Sequence, residues 1–584
     1  MKKKVLSIIA LGITAMMFCN ACSGGTPGKE STVPVSTENT GATDTKESSS
    51  AEKAEETEFA QPVLKSSTEA IKQVAVQLDA GTLMGYEQSG IYHFKGIPYA
   101  TADRFKGPVP VTKFDNEVQM ALTYGAVAPQ DRSLNGTGEV NSHEFMTPSN
   151  GTADMVANEN CQNLNVWSSD LKAAKPVVVF FHGGGLNNGA SSELSYYTGE
   201  YFVESEDTVF VSVNHRLNVL GYLDLSEYGG EDYANSGISG IDDCVCALEW
   251  VQNNIAQFGG DPSNVTIIGQ SGGGTKVTTL ACMSNTVDLF DKIVVMSGNY
   301  STSSKQEGIE NTKLLVDYLG LADDEVIDAL SNMSYEDLFN AATEAGCSWT
   351  THYGDGTFTN PLFDSETGMV NEYAAQRTWV WGSTFSEFNS NGEGLITSKT
   401  GLMYLPKTTD DMAMEALKET YGENAQEVAD AFKMAYPDHA LAEALYLSQG
   451  SSAISRYGII SPRDGILKKF NDSGIPVYNY MVTYKEPYFG GVTMHHTGDV
   501  AYWFNSLNTI PYQVQGDEEN AYAVALEMSQ ALKNFIKNGN PSTDSLSWKP
   551  YTTDEHNTMV FDVKSELKTD YDTDLYETIM KSQN

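Results

Sequence analysis

Apolar side chains fall along the 584 residues in distinct regimes. Residues 5–18 form one apolar run directly behind Lys2, Lys3 and Lys4. Residues 23–73 are rich in Ser, Thr, Glu and Gly and carry few large apolar groups. That is too few to build a core, so this stretch is expected to be a disordered tether. Beyond it, short β-branched and aromatic runs have the length and composition of strands. Lys175–Phe181 reads as a buried strand, its residues after Lys175 forming a continuous apolar run as burial on both faces requires. Residues 265–268 predict a second strand, residues 379–381 a third and residues 476–484 a late one. Helices are expected over 275–283 and within the stretches 307–344 and 409–449.

The strand at 265–268 runs into Gly269-Gln270-Ser271-Gly272-Gly273, a G-x-S-x-G sequence. With a strand before it and a helix after it, this pattern makes a sharp turn that projects the Ser oxygen clear of the backbone. The 175–181 strand ends at His182-Gly183-Gly184-Gly185. Glycines there let backbone N–H groups approach a substrate with no Cβ in the way. Together the two motifs imply acyl-transfer chemistry: a serine nucleophile, a histidine base, and N–H donors for the oxyanion. Gly272, the residue after the nucleophile, is one expected donor, and the Gly-rich loop supplies the rest.

Further blocks make the chain resemble the type-B carboxylesterase/cholinesterase family. They are Phe94-Lys95-Gly96-Ile97-Pro98-Tyr99-Ala100, Glu159-Asn160-Cys161-Gln162-Asn163-Leu164-Asn165-Val166, and Phe258-Gly259-Gly260-Asp261-Pro262 before the elbow. Asn538-Gly539-Asn540-Pro541 and Trp548-Lys549-Pro550-Tyr551 look like its closing motif. The resemblance implies an α/β-hydrolase fold over residues 74–584: a central, mostly parallel sheet flanked by helices, with large helical insertions over the active site. It also implies a serine carboxylic-ester hydrolase working through an acyl-enzyme. Gly184, Gly185 and Gly272 would form the oxyanion hole. No metal or cofactor is called for.

In this fold the acid and then the histidine follow the serine in the chain. That order leaves those well past Ser271, and His352 comes before the best acid candidate, so His439, His495, His496 and His556 of the nine histidines remain. The family pattern sets the catalytic histidine three residues before an acidic residue and eight before an aromatic one. His496 fits it, with Asp499 and Phe504, whereas His495 would place Gly498 at the acidic position. The block from Trp379 to Phe388 resembles the family's strand-G-x-x-x-D-E-G segment and puts the triad carboxylate on Glu387, with Ser386 and Phe388 departing from the pattern. Asp364 is the weaker rival. Leu186 and Tyr502-Trp503-Phe504 are equally readable as pocket lining or plain packing.

Residues 1–22 read as a secretory signal, too short for a membrane span. Ala21-Cys22-Ser23-Gly24 resembles a bacterial lipoprotein cleavage site, which would leave the lipid on Cys22 and the chain tethered outside the cell membrane, the alternative being plain secretion. The net charge is −41, and nearly all of the acidic excess lies after residue 73. Such a surface repels nucleic acid and mildly favours neutral or cationic small-molecule esters. In the resembling family Cys161 pairs with a cysteine whose place is taken here by Ala128, so Cys161 should be a free, buried thiol. Cys244, Cys246, Cys282 and Cys347 are expected in the core. The competing function is a catalytically silent surface binding or adhesion protein on the same fold. The presence of Ser271, Glu387 and His496 together favours the enzyme.

Overall fold

A computed structural model describes residues 70–130, 155–390, 405–448 and 454–582. The signal segment, Cys22 and residues 23–69 of the tether lie outside them. The first strand, β1 (Lys72–Leu78), starts inside the stretch assigned to the tether. Lys72 and Gln73 pair with Glu87 and Tyr86, and Lys72 makes an ion pair with Glu87 at 2.7 Å. Two charged or amide side chains concealed a strand that faces solvent.

Eleven more strands extend the same sheet: β2 (Gly81–Gln88), β3 (Ile91–Pro98), β4 (Asn163–Ser168), β5 (Lys175–Phe181), β6 (Val209–Val213), β7 (Gly260–Gln270), β8 (Lys292–Met296), β9 (Thr378–Thr384), β10 (Val477–Val482), β11 (Asn557–Phe561) and β12 (Glu566–Thr569). Their order is β1-β2-β3-β4-β6-β5-β7-β8-β9-β10-β11-β12, with a short strand at Val118–Met120 beside β2. From β6 across to β11 every neighbouring pair is parallel, and the flanks are antiparallel. The parallel centre is buried on both faces, which is why β5, β6 and β8, apart from Lys175, Ser212 and Lys292, are apolar rather than alternating.

Helices cover the sheet, among them α1 (Ser239–Asn254), α2 (Gly272–Ala281) and α8 (Glu518–Asn538), numbered here in chain order with the insertion helices between. The stretch at 307–344 holds α3 (Lys305–Leu319), α4 (Val326–Asn332) and α5 (Tyr335–Glu344). That at 409–449 holds α6 (Asp410–Tyr421) and α7 (Ala425–Ala435). A last helix, α9, is Thr573–Ser582. One core cluster lies between the sheet and α1, a second under α8 and Tyr502-Trp503-Phe504, whose side chains are all buried, and a third among α3, α4 and α5.

Two buried ion pairs lock the parallel centre. Arg216 forks onto Asp243 of α1 at 2.9 and 2.7 Å. Arg456 forks onto Asp572 at 2.7 and 3.0 Å and also reaches Asn479 of β10 and Thr558 of β11. Removing one partner of such a pair strands the other charge in a dry interior. Arg456→Met is therefore expected to lower unfolding free energy by about 3–5 kcal/mol, measured by urea denaturation.

Cys161 is a free, buried thiol and packs against Ala128, the residue in the family partner's place, and Leu217. Cys244, Cys246 and Cys282 are buried, and Cys347 is partly so.

Candidate active site

The candidate residues converge because of strand direction. Parallel neighbours end on the same side of the sheet, and in such sheets ligands bind beyond the carboxyl ends of the strands. His182 follows β5, Ser271 follows β7, Glu387 follows β9, and His496 lies on the loop that follows β10. The register aligns Phe181 with Gly269 and Gln270 with Met296, so the Gly-rich loop and the elbow leave the sheet at one level.

Ser271 has φ 55 and ψ −119, a conformation strained for any residue with a Cβ. The surrounding backbone over-determines it. Ser271 N–H donates to the Met296 carbonyl at 2.9 Å, and its own carbonyl accepts from Gly274 at 2.8 Å. A Cβ on Gly273 would collide with the Phe181 carbonyl, and one on Gly272 with the Gly185 backbone. Only glycine allows this approach, so α2 begins three residues earlier than its sequence suggests. The same contact sets Gly272 directly against the Gly-rich loop, where Gly184 and Gly185 have φ 81 and 64. Among the described residues, none of the Gly184, Gly185 and Gly272 N–H groups donates a hydrogen bond.

His496 Nδ1 contacts Glu387 Oε2 at 2.5 Å, and its backbone N–H donates to the Glu387 carbonyl at 3.0 Å. The other Glu387 oxygen accepts from the Thr384 N–H at 2.8 Å, and the Thr384 hydroxyl accepts from the Glu387 N–H at 3.1 Å. This brace bends the chain at Glu387, whose φ is 43. The carboxylate is aimed at the ring from the end of β9. At the far side of the ring, Nε2 meets the Gln270 Nε2 amide at 3.2 Å. An amide N–H can only donate, so His496 Nε2 accepts and the ring proton sits on Nδ1, toward Glu387. The unprotonated nitrogen faces the residue next to Ser271.

The rival candidates have other work. His495 turns the opposite way, to within 3.4 Å of buried Glu486. His439 pairs with Glu443 at 2.7 Å, and although burial works against its charge, Asp562 at 3.7 Å and Glu443 outweigh it and hold the ring up at about 9. His556 pairs with Asp570 at the surface. Asp364 is partly exposed and ties its own turn through Thr367, whose hydroxyl and N–H hold the carboxyl below the usual range. Asp499, three residues beyond His496, is buried behind the pair and bonded to Tyr480 and Trp503. Burial first, then the Glu387 charge, pushes it up to about 7.

Spacing alone did not single out Gln270, which falls at an unspecified position of the motif. Phe388 departs from the family pattern, and its ring lies 4.1 Å from the His496 ring while remaining 49% exposed. Among the described residues no group of three or more His, Cys, Asp or Glu side chains is arranged to hold a metal ion. No helix among them is long and apolar enough to cross a membrane.

The parallel centre, the elbow after β7 and the functional loops at the strand ends define an α/β-hydrolase-fold protein. The profile of the Carboxylesterase family matches residues 72–579, and the chain belongs to that family. Para-nitrobenzyl esterase of Bacillus subtilis (strain 168) is 26% identical over 86% of this chain and 98% of the relative. The solved structure of an esterase from anaerobic Clostridium hathewayi, described as able to hydrolyse aliphatic aromatic polyesters, is 31% identical with a TM-score of 0.77. It covers 88% of this chain and 100% of that one. A carboxylesterase of Geobacillus stearothermophilus superposes with a TM-score of 0.65 at 26% identity, over 86% of this chain and 99% of that one. The protein is a carboxylesterase.

Proposed function

We propose that this carboxylesterase works through Ser271 as nucleophile, His496 as general base and acid, and Glu387 as the residue that orients and stabilises the imidazole. The observation that carries this is the 2.5 Å Glu387–His496 contact on a ring whose other nitrogen accepts a bond at the elbow. Substrate binding brings Ser271 Oγ to Nε2 in place of the Gln270 amide. Oγ attacks the ester carbonyl carbon as its proton passes to Nε2, and the carbonyl electron pair moves onto oxygen. The Gly184, Gly185 and Gly272 N–H groups receive that charge, each worth about 3 kcal/mol in the transition state. Collapse expels the alcohol, which takes the proton from Nε2 and leaves acyl-Ser271. Water then repeats the sequence and releases the acid.

The substrate class is a neutral ester with an aromatic group beside Phe388. The reading is supported by the exposed ring tilted against the base, by the net charge of −41, and by the aromatic substrates in the names of two relatives. A panel of 4-nitrophenyl esters of varied chain length, with benzyl and ethyl acetate compared directly, tests it. Phe388→Ala should lower kcat/KM for benzyl acetate by about tenfold, the worth of one aromatic contact, and that for ethyl acetate much less. Equal losses on both would reject the aromatic preference.

A further inference from the structure

Lys276 lies on the second turn of α2, one turn beyond the elbow, and its side chain is fully buried. A buried ammonium costs several kcal/mol unless it is compensated. Among the described residues it has no carboxylate within ion-pair distance and one hydrogen-bond partner, the His182 carbonyl at 2.8 Å. That carbonyl belongs to the first peptide of the Gly-rich loop. The N–H of the same peptide, on Gly183, faces the Tyr197 phenol closely enough to favour its charged form. Tyr197 in turn donates to Gln270 Oε1 at 3.5 Å, and Gln270 Nε2 donates to His496 Nε2 at 3.2 Å. His496 Nδ1–H completes the series on Glu387. The hydrogen bonds on either side of the His182–Gly183 peptide point the same way, from a buried cation to a buried anion, and bonds and dipoles aligned in this manner polarise one another.

We propose that Lys276 is a positioning residue of the esterase reaction. Its charge fixes the His182–Gly183 peptide beneath the oxyanion loop and anchors the cationic end of a hydrogen-bond chain through Tyr197 and Gln270 to the His496 imidazole. The inference rests on the esterase reading of the site. The groups facing the ammonium are Glu193, Cys244 of α1, and His182 and His215, whose rings stack at 4.9 Å. Burial drives both histidines well below their usual range, so they add no charge. Burial also raises Glu193 to about 7 and pushes Cys244 up. Lys276 itself is lowered to about 8, chiefly by burial. The cation is present below that pH and lost above it.

The test measures kcat and KM for 4-nitrophenyl butyrate from pH 6 to 10 on the full chain, alongside Lys276→Met and Lys276→Arg, with active sites counted by a fluorophosphonate. Wild-type kcat should fall as pH rises through about 8. Lys276→Met should lose about tenfold in kcat at neutral pH with KM little changed, and should show no alkaline limb, since the lost bond lies one peptide from the oxyanion donors. Lys276→Arg should keep most of kcat and move the limb to higher pH. An active wild type whose methionine variant keeps both kcat and the limb overturns the inference while leaving the esterase reading intact. A wild type inert to ester and fluorophosphonate sinks both. If the methionine variant does not fold, a limb at the same pH in wild type and Lys276→Arg overturns the inference.

Discussion

Ser271→Ala is expected to lower kcat for any ester substrate by about 10⁴-fold or more, because no other side chain can replace the nucleophile and the triad acts as a unit. The fold should survive. Alanine carries the same Cβ as serine, so the strained turn at φ 55 and ψ −119 is no worse for the change, and the glycine contacts that enforce it are untouched. The His496–Glu387 pair and the free loop N–H groups also remain, so substrate affinity should change little. Residual catalysis of about 10³-fold over water is expected from the oxyanion donors and binding alone. Steady-state turnover of 4-nitrophenyl butyrate, with circular dichroism as the fold control, measures it. A variant retaining a tenth of wild-type activity would remove Ser271 from the chemistry.

Glu387→Gln should cost about 10³–10⁴-fold in kcat while keeping the shape of the site. Glu387 Oε2 accepts the Nδ1 proton at 2.5 Å, and its other oxygen is held by Thr384. A glutamine amide can present N–H to Nδ1 and stabilise the tautomer with the proton on Nε2, where it cannot take one from Ser271. The imidazolium formed during attack would also lose its counter-charge. Asp364→Asn is the control: its carboxyl serves only its own exposed turn, so kcat should stay within about twofold, as for most surface changes. The two variants assayed side by side separate the rivals, and a loss in Asp364→Asn equal to that in Glu387→Gln would refute the assignment.

Much of the architecture was legible because burial writes itself into sequence. β5 was readable residue for residue, since a strand covered on both faces must be apolar throughout. The insertions at 307–344 and 409–449 were readable as helical. The start of α2 was not, because glycine is a poor helix former and only the collisions a Cβ would suffer with the Gly-rich loop at Gly272 and with the end of β5 at Gly273 explain the glycines there. Gly269, Ser271 and the adjacent histidines could be weighed from spacing alone, but spacing cannot see which way two neighbouring side chains turn. The structure separates them, with His495 toward Glu486 and His496 toward Glu387. Gln270, Tyr197 and Lys276 left no signal. A lone lysine on a helix ordinarily marks a solvated face, and only tertiary packing buries this one beside the Gly-rich loop.

The central claim concerns one hydroxyl, and covalent labelling reads it directly. The full chain treated with a fluorophosphonate, then digested and analysed by mass spectrometry, should carry a single adduct on the peptide containing Ser271, formed by the native protein and not after heat denaturation. The Ser271→Ala protein should remain unlabelled under the same conditions. No adduct on the native wild type, or an adduct that persists in Ser271→Ala, would contradict the account.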